Sequence, residues 1–96
     1  MSNTLAYKSW ALDAIAFTEI TAPINCDYVV LLNADDTITI TLRSDPDDAA
    51  TEKSLLPGVQ EVFMGAGHHY RFSVGATVVY AKAASATATL HTSFLL

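Results

Sequence analysis

Basic residues are scarce in this chain: five Lys and Arg stand against ten Asp and Glu among 96 residues, a formal net charge of −5. Lys8, Arg43, Lys53, Arg71 and Lys82 are dispersed along the sequence, whereas binding to nucleic acid by counterion release needs such residues clustered. No nucleic-acid partner is expected. Cysteine is almost absent too, and with Cys26 as the single thiol the intrachain disulfides that brace small secreted domains are excluded. No apolar run is long enough to span a bilayer, and residues 1–5 lack a basic stretch followed by an apolar core, the mark of a secretory signal. Synthesis in a cytoplasm and no membrane partner are therefore expected.

Catalytic and ligand-binding signatures are also missing. Gly65-Ala66-Gly67-His68-His69 has the look of a glycine loop beside metal ligands. A dinucleotide fingerprint, however, sets its glycines between a strand and a helix, and here a strand-like run follows. His68 and His69, as neighbours, point to opposite faces of a strand, and His91 is the only other histidine, so a zinc site is not expected. Asp45, Asp47, Asp48 and Glu52 supply the hard oxygens that calcium favours, without the glycine and glutamate that an EF-hand loop requires at its sixth and twelfth positions. Cys26 opens an apolar stretch and reads as a small buried hydrophobe. Ser9, Ser44, Ser54 and Ser73 lie in no elbow-like context. No enzyme, metal or cofactor is expected.

What the chain does have is alternation. Thr37-Ile38-Thr39-Ile40-Thr41-Leu42 sets three apolar side chains on one face of a strand and three threonines on the other. The same pattern recurs over residues 87–94, where Ala88, Leu90, Thr92 and Phe94 face one way and Thr87, Thr89, His91 and Ser93 the other. Residues 26–33 are apolar on both faces, which predicts a strand buried on both, either centrally in a sandwich or against another subunit. Further strands are expected over residues 7–12, 14–21, 59–64, 69–74 and 77–82. The pair 26–33 and 37–43 is expected to form a hairpin through Ala34-Asp35-Asp36. One long irregular loop, residues 44–58, carries Asp45-Pro46-Asp47-Asp48 at its start and Pro57-Gly58 at its end, both strong turn chemistry.

About eight short strands at intervals near ten residues predict one all-β domain over residues 1–96, a single antiparallel β-sandwich of jelly-roll type. A chain of this size buries about two-thirds of its unfolded surface, so its stability is marginal unaided. Fifteen of its residues are alanine, which bury little area each. The core is expected to lean on Trp10, Phe17, Phe63, Phe72, Phe94, the four tyrosines and the aliphatic residues. The apolar surplus at residues 26–33 and 77–82 points to a homo-oligomer, a trimer or dimer.

The run Arg43-Ser44-Asp45-Pro46-Asp47-Asp48-Ala49-Ala50-Thr51-Glu52-Lys53, leading to Leu55-Leu56-Pro57-Gly58-Val59-Gln60-Glu61, resembles a layout of small tailed-bacteriophage virion proteins. In those chains a Thr-rich strand gives way to an acidic loop, a Pro-Gly turn and a new strand. The Ala/Thr/Val-rich style of the remainder is similar to that of capsid decoration (cement) proteins and fibre-base modules. The resemblance implies a non-enzymatic structural protein located in the virion, with the major capsid protein or another virion protein as partner. The expected interaction residues are Asp45, Asp47, Asp48, Glu52 and Lys53, in the acidic loop. An alternative is a carbohydrate- or receptor-binding sandwich module of a phage fibre, with Tyr7, Trp10 and Tyr80 lining a sugar site. A third is a small cupin-like metal-dependent enzyme, which would need His68, His69 or His91 to converge with a carboxylate.

Overall fold

The computed structural model describes residues 5–64 and 72–95. Among them are eight strands: β1 (Leu5–Asp13), β2 (Thr18–Thr21), β3 (Tyr28–Asn33), β4 (Ile40–Arg43), β5 (Glu52–Leu55), β6 (Gln60–Met64), β7 (Thr77–Ala83) and β8 (Thr87–Leu95). They form two four-stranded sheets, in the orders β1-β8-β3-β6 and β2-β7-β4-β5, and every pairing is antiparallel. The expected all-β sandwich is what the chain adopts.

Its pairing rule is simple: first strand with last, second with seventh, third with sixth, fourth with fifth. The chain is thus one long antiparallel ribbon with the β4–β5 hairpin at its tip, rolled until β8 meets β3 and β7 meets β4. That is the strand order of a jelly roll. The ribbon stays hydrogen-bonded where it crosses between sheets. The Ala22 amide donates to the Ala76 carbonyl at 3.0 Å, and Cys26 and Phe72 exchange backbone bonds of 2.9 and 2.8 Å.

Alternation decides which side chains go inside. Ile40 and Leu42 on β4, Val79, Ala81 and Ala83 on β7, and Ala88, Leu90 and Phe94 on β8 are buried, with Leu12, Ile20, Val29, Leu31 and Leu55 completing the core. Among the described side chains, which do not include those of Phe63 and Tyr70, aromatics contribute less to the core than the sequence led one to expect. Phe94 is fully buried, Trp10 and Phe72 pack partly against the core, and Tyr7 and Tyr28 are exposed. Phe17 lies outside the sandwich altogether. The single cysteine is a buried core residue, as expected. The expected strand over residues 69–74 falls mostly outside the described residues.

Among the described residues two polar side chains are buried, Asn33 and Thr92, and both are hydrogen-bonded. The Trp10 indole donates to the Thr92 hydroxyl at 2.9 Å, and that hydroxyl donates onward to the Lys8 carbonyl at 3.1 Å. Asn33, at the end of β3, donates from Nδ2 to the carbonyls of Ile38 and Leu55 at 2.8 and 2.9 Å, and its Oδ1 accepts the Asp35 amide at 3.0 Å. Those bonds turn the chain out of the first sheet and into the second. They explain why the expected hairpin of residues 26–33 with 37–43 does not form: β3 pairs with β6 and β8, whereas β4 pairs with β5 and β7. No Asn-Gly or Asp-Gly turn is present to hold the two together.

Two further expectations are corrected by local hydrogen bonding. Residues 14–21 are not one strand, because Asp13 Oδ1 accepts the amides of Ile15 and Ala16 at 2.9 and 3.1 Å and bends the chain before β2 begins. The loop expected over residues 44–58 is interrupted by β5, which follows a 3-10 turn at Ala49–Thr51; a short helical turn from Ala49 capped by Asp47 or Asp48 is what the sequence offers there, and Asp48 caps it. The loop's closing turn behaves as its residues demand. The Val59 amide reaches the Leu56 carbonyl at 3.0 Å across Pro57 and Gly58, and Gly58 has a φ of +76°, the value that favours glycine in a type II turn.

Candidate functional site

The strand registers lay out the outer face of the first sheet row by row. One row runs Tyr7, Ser93, Val30, Val62, and the next Ser9, His91, Leu32, Gln60. Tyr28 beside Leu95 continues the face at one end and Ala11 beside Thr89 at the other. None of these twelve residues is Asp, Glu, Lys or Arg. Tyr7 is 72% exposed, Val62 57% and Tyr28 40%, and Val30 and Leu32 are half-buried. A shallow depression of about 370 Å³ lies over Tyr7, Ser9, Gln60, His91 and Ser93 with Val30 and Leu32 as its floor. Lys8, on β1 between Tyr7 and Ser9, also lines the depression and turns its ammonium onto the Trp10 ring, 4.0 Å from the ring centre.

The outer face of the second sheet is built differently. Its central row runs Glu19, Tyr80, Arg43, Glu52, with Lys82 beside Thr41. Arg43 pairs with Glu52 at 2.8 Å, and the Thr77 hydroxyl donates to the Glu19 carboxylate. Phe17 packs over this face, its ring centre 4.9 Å from the Arg43 guanidinium and 4.8 Å from the Lys82 ammonium, an attraction of about 0.5–1 kcal/mol at an exposed site. One face of the sandwich is therefore charged along its central row and partly capped by Phe17, whereas the other, among the described residues, carries charge only at its margin, Asp13 beside Thr87 at one end and Lys8 on the edge strand.

The five residues expected to make interactions fall in two settings. Asp45 and Asp48 order the tip of the ribbon from within. Asp45 Oδ1 accepts the Asp47 amide at 2.9 Å, Asp48 Oδ1 accepts the Ala50 amide at 2.9 Å and so caps the 3-10 turn, and Arg43 donates to the Pro46 carbonyl at 2.8 Å. Asp47 is exposed on this ordered tip. Glu52 and Lys53 belong to β5 instead, Glu52 paired with Arg43 and Lys53 with Glu61 at 2.7 Å. The Lys53–Glu61 pair links the edge strands of the two sheets, and its exposure limits its contribution to about 0–1 kcal/mol.

The remaining candidates are kept apart by the fold. Tyr7 stands on the outer face of the first sheet and Tyr80 on that of the second, with Trp10 between the sheets. They do not share a sugar site. His91 points outward on the first sheet, while His68 and His69 lie outside the described residues. Among the described residues no three His, Cys, Asp or Glu side chains gather as metal ligands. Asp13 titrates below the ordinary aspartate value of 3.8, because the amides of Ala16 and Ile15 stabilise its carboxylate. No single side chain in the sequence signals the uncharged face, since it exists only once the registers of four strands are fixed. Comparison with protein-family models, with curated proteins and with solved structures returns no match.

Proposed function

We propose that this chain is a non-enzymatic structural protein of a virion, a decoration-type subunit that binds the head shell in many self-associated copies. The observation that carries the reading is the state of the ribbon tip. Residues 45–51 are acidic, exposed and already ordered by the Asp45, Asp48 and Arg43 bonds, so docking this segment onto a basic patch costs little conformational entropy. The resemblance of residues 43–61 to small tailed-bacteriophage virion proteins, and of the remainder's style to decoration proteins, supports the same reading. Self-association makes weak docking sufficient, because linked copies gain about 10²–10⁴ in avidity. The test is occupancy on purified particles stripped of this chain. Asp47→Lys reverses a tip charge without touching either cap, and a several-fold loss of occupancy is expected. Undiminished occupancy, or no binding by the wild-type chain, overturns the proposal.

A second reading is favoured by the depression over Tyr7, Gln60 and His91, whose single aromatic ring among hydroxyl, amide and imidazole groups suits a sugar. Glycan-array binding that is lost in Tyr7→Ala would select it.

A further inference from the structure

We propose that two copies of this chain pair face to face through the outer surface of the β1-β8-β3-β6 sheet, around a twofold axis near Val30 and His91. The proposal deepens the self-association part of the proposed function and rests on it; it assigns the surface and the stoichiometry.

The first argument is electrostatic. Each copy carries a net charge of −5, so two copies repel over most of their surface, and close contact is cheapest where neither presents a charge. The twelve outward residues of this sheet named above, from Tyr7 and Tyr28 to Gln60 and His91, meet that condition, and the charged Asp13 and Lys8 stand at its margin. The opposite face does not. A twofold interface sets the Glu19, Tyr80, Arg43, Glu52 row of one copy against the same row of the other, and desolvating those ions costs more than their contacts return.

The second argument is composition. Cores of protein interfaces are depleted in charged residues and enriched in aromatic ones. Here Tyr7 and Tyr28 flank Val30, Leu32 and Val62, with Ser93, His91 and Gln60 available for hydrogen bonds between copies.

The third is area. Four strands at a spacing of about 4.8 Å give a width of roughly 19 Å, and strands of five to nine residues at about 3.3 Å per residue give a mean length of roughly 24 Å. The flat area is then about 450 Å² per copy, and two corrugated faces bury on the order of 1,000 Å² in all, the lower end of specific interfaces. Such a pair is expected to associate reversibly in the micromolar range. Sheets stacked this way sit about 10 Å apart, aligned or orthogonal, and make a four-layer particle in which each copy supplies the same residues.

Sedimentation equilibrium from about 1 to 300 µM tests the pairing. The expected result is a mass rising from 10.3 kDa to twice that value and no further. Val30→Glu places a charge at the centre of the face and Val62→Glu one on its β6 edge, both outside the core. Each should hold the chain at monomer mass, with unchanged circular dichroism. Tyr80→Glu, on the opposite face, should leave the mass curve as in the wild type. Loss of fold in one valine variant leaves the other to decide. A wild-type monomer at every concentration, a mass three times that of the chain, or association that survives both valine substitutions overturns the proposal. A monomer that binds glycans through Tyr7 would give the face to a carbohydrate instead. Failure of pairing is distinguishable from failure of particle binding, because the latter is read from Asp47→Lys on particles.

Discussion

Replacing Asn33 with leucine should destabilise the domain by about 1–5 kcal/mol, with a centre near 3, and the figure follows from what the side chain holds. Asn33 is fully buried, and it bonds three backbone groups: the Ile38 carbonyl, the Leu55 carbonyl and the Asp35 amide. Leucine keeps the approximate volume and loses all three bonds. The bond to the Leu55 carbonyl is buried, so stranding that acceptor costs about 1–3 kcal/mol; the other two groups are partly reached by water and lose about 0.5–1.5 kcal/mol each. Burial of the added apolar surface returns about 1 kcal/mol. Against a total stability of roughly 5–10 kcal/mol, a loss of about 3 kcal/mol should lower the melting temperature by about 10–25 °C. Urea unfolding followed by Trp10 fluorescence reads it directly. Asn33→Asp sharpens the test, because it keeps the acceptor for Asp35 but sets a carboxylate against two carbonyls; it should cost more than leucine at pH 7. A leucine penalty below about 0.5 kcal/mol, or an aspartate variant as stable as wild type, would refute the view that Asn33 fastens the two sheets.

Thr92→Val, nearly isosteric, should cost about 1–2 kcal/mol by leaving the Trp10 indole N–H unpaired, with a shift in Trp10 emission; unchanged stability and emission would show the bond to be dispensable. Asp13 should titrate below 3.8 in the folded protein. Because its folded pKa is lowered, the stability it contributes is complete above the unfolded value and is lost as pH falls through the folded one. A carboxyl NMR titration with a midpoint at or above 3.8 would contradict the Asp13 turn.

Where inward and outward residues alternate cleanly, the fold was legible. Ala88, Leu90, Thr92 and Phe94 point inward along β8, and Ile40 and Leu42 along β4, as their spacing requires. Pairing was not legible, because a jelly roll joins strands far apart in the chain: β1 meets β8 and β3 meets β6. Periodicity says which way a side chain points and nothing about the neighbouring strand. β5 escaped notice for a related reason. It is an edge strand with Leu55 as its single buried residue, so its sequence carries no alternation against the acidic stretch before it. Phe17 illustrates the limit for single residues, since a large aromatic is expected inside, yet here it covers Arg43 and Lys82 from outside. The apolar character of both faces of residues 26–33 was visible. That the outward Tyr28, Val30 and Leu32 join Tyr7 and Val62 in one uncharged field needed the registers.

The claim that this chain is a structural shell component is tested most directly by its copy number in gradient-purified virions from the source culture, measured by quantitative mass spectrometry against the major capsid protein. The account predicts many copies per particle, in a fixed ratio to the shell subunit. Absence from the particles, or a handful of copies as in a neck or fibre, would contradict it.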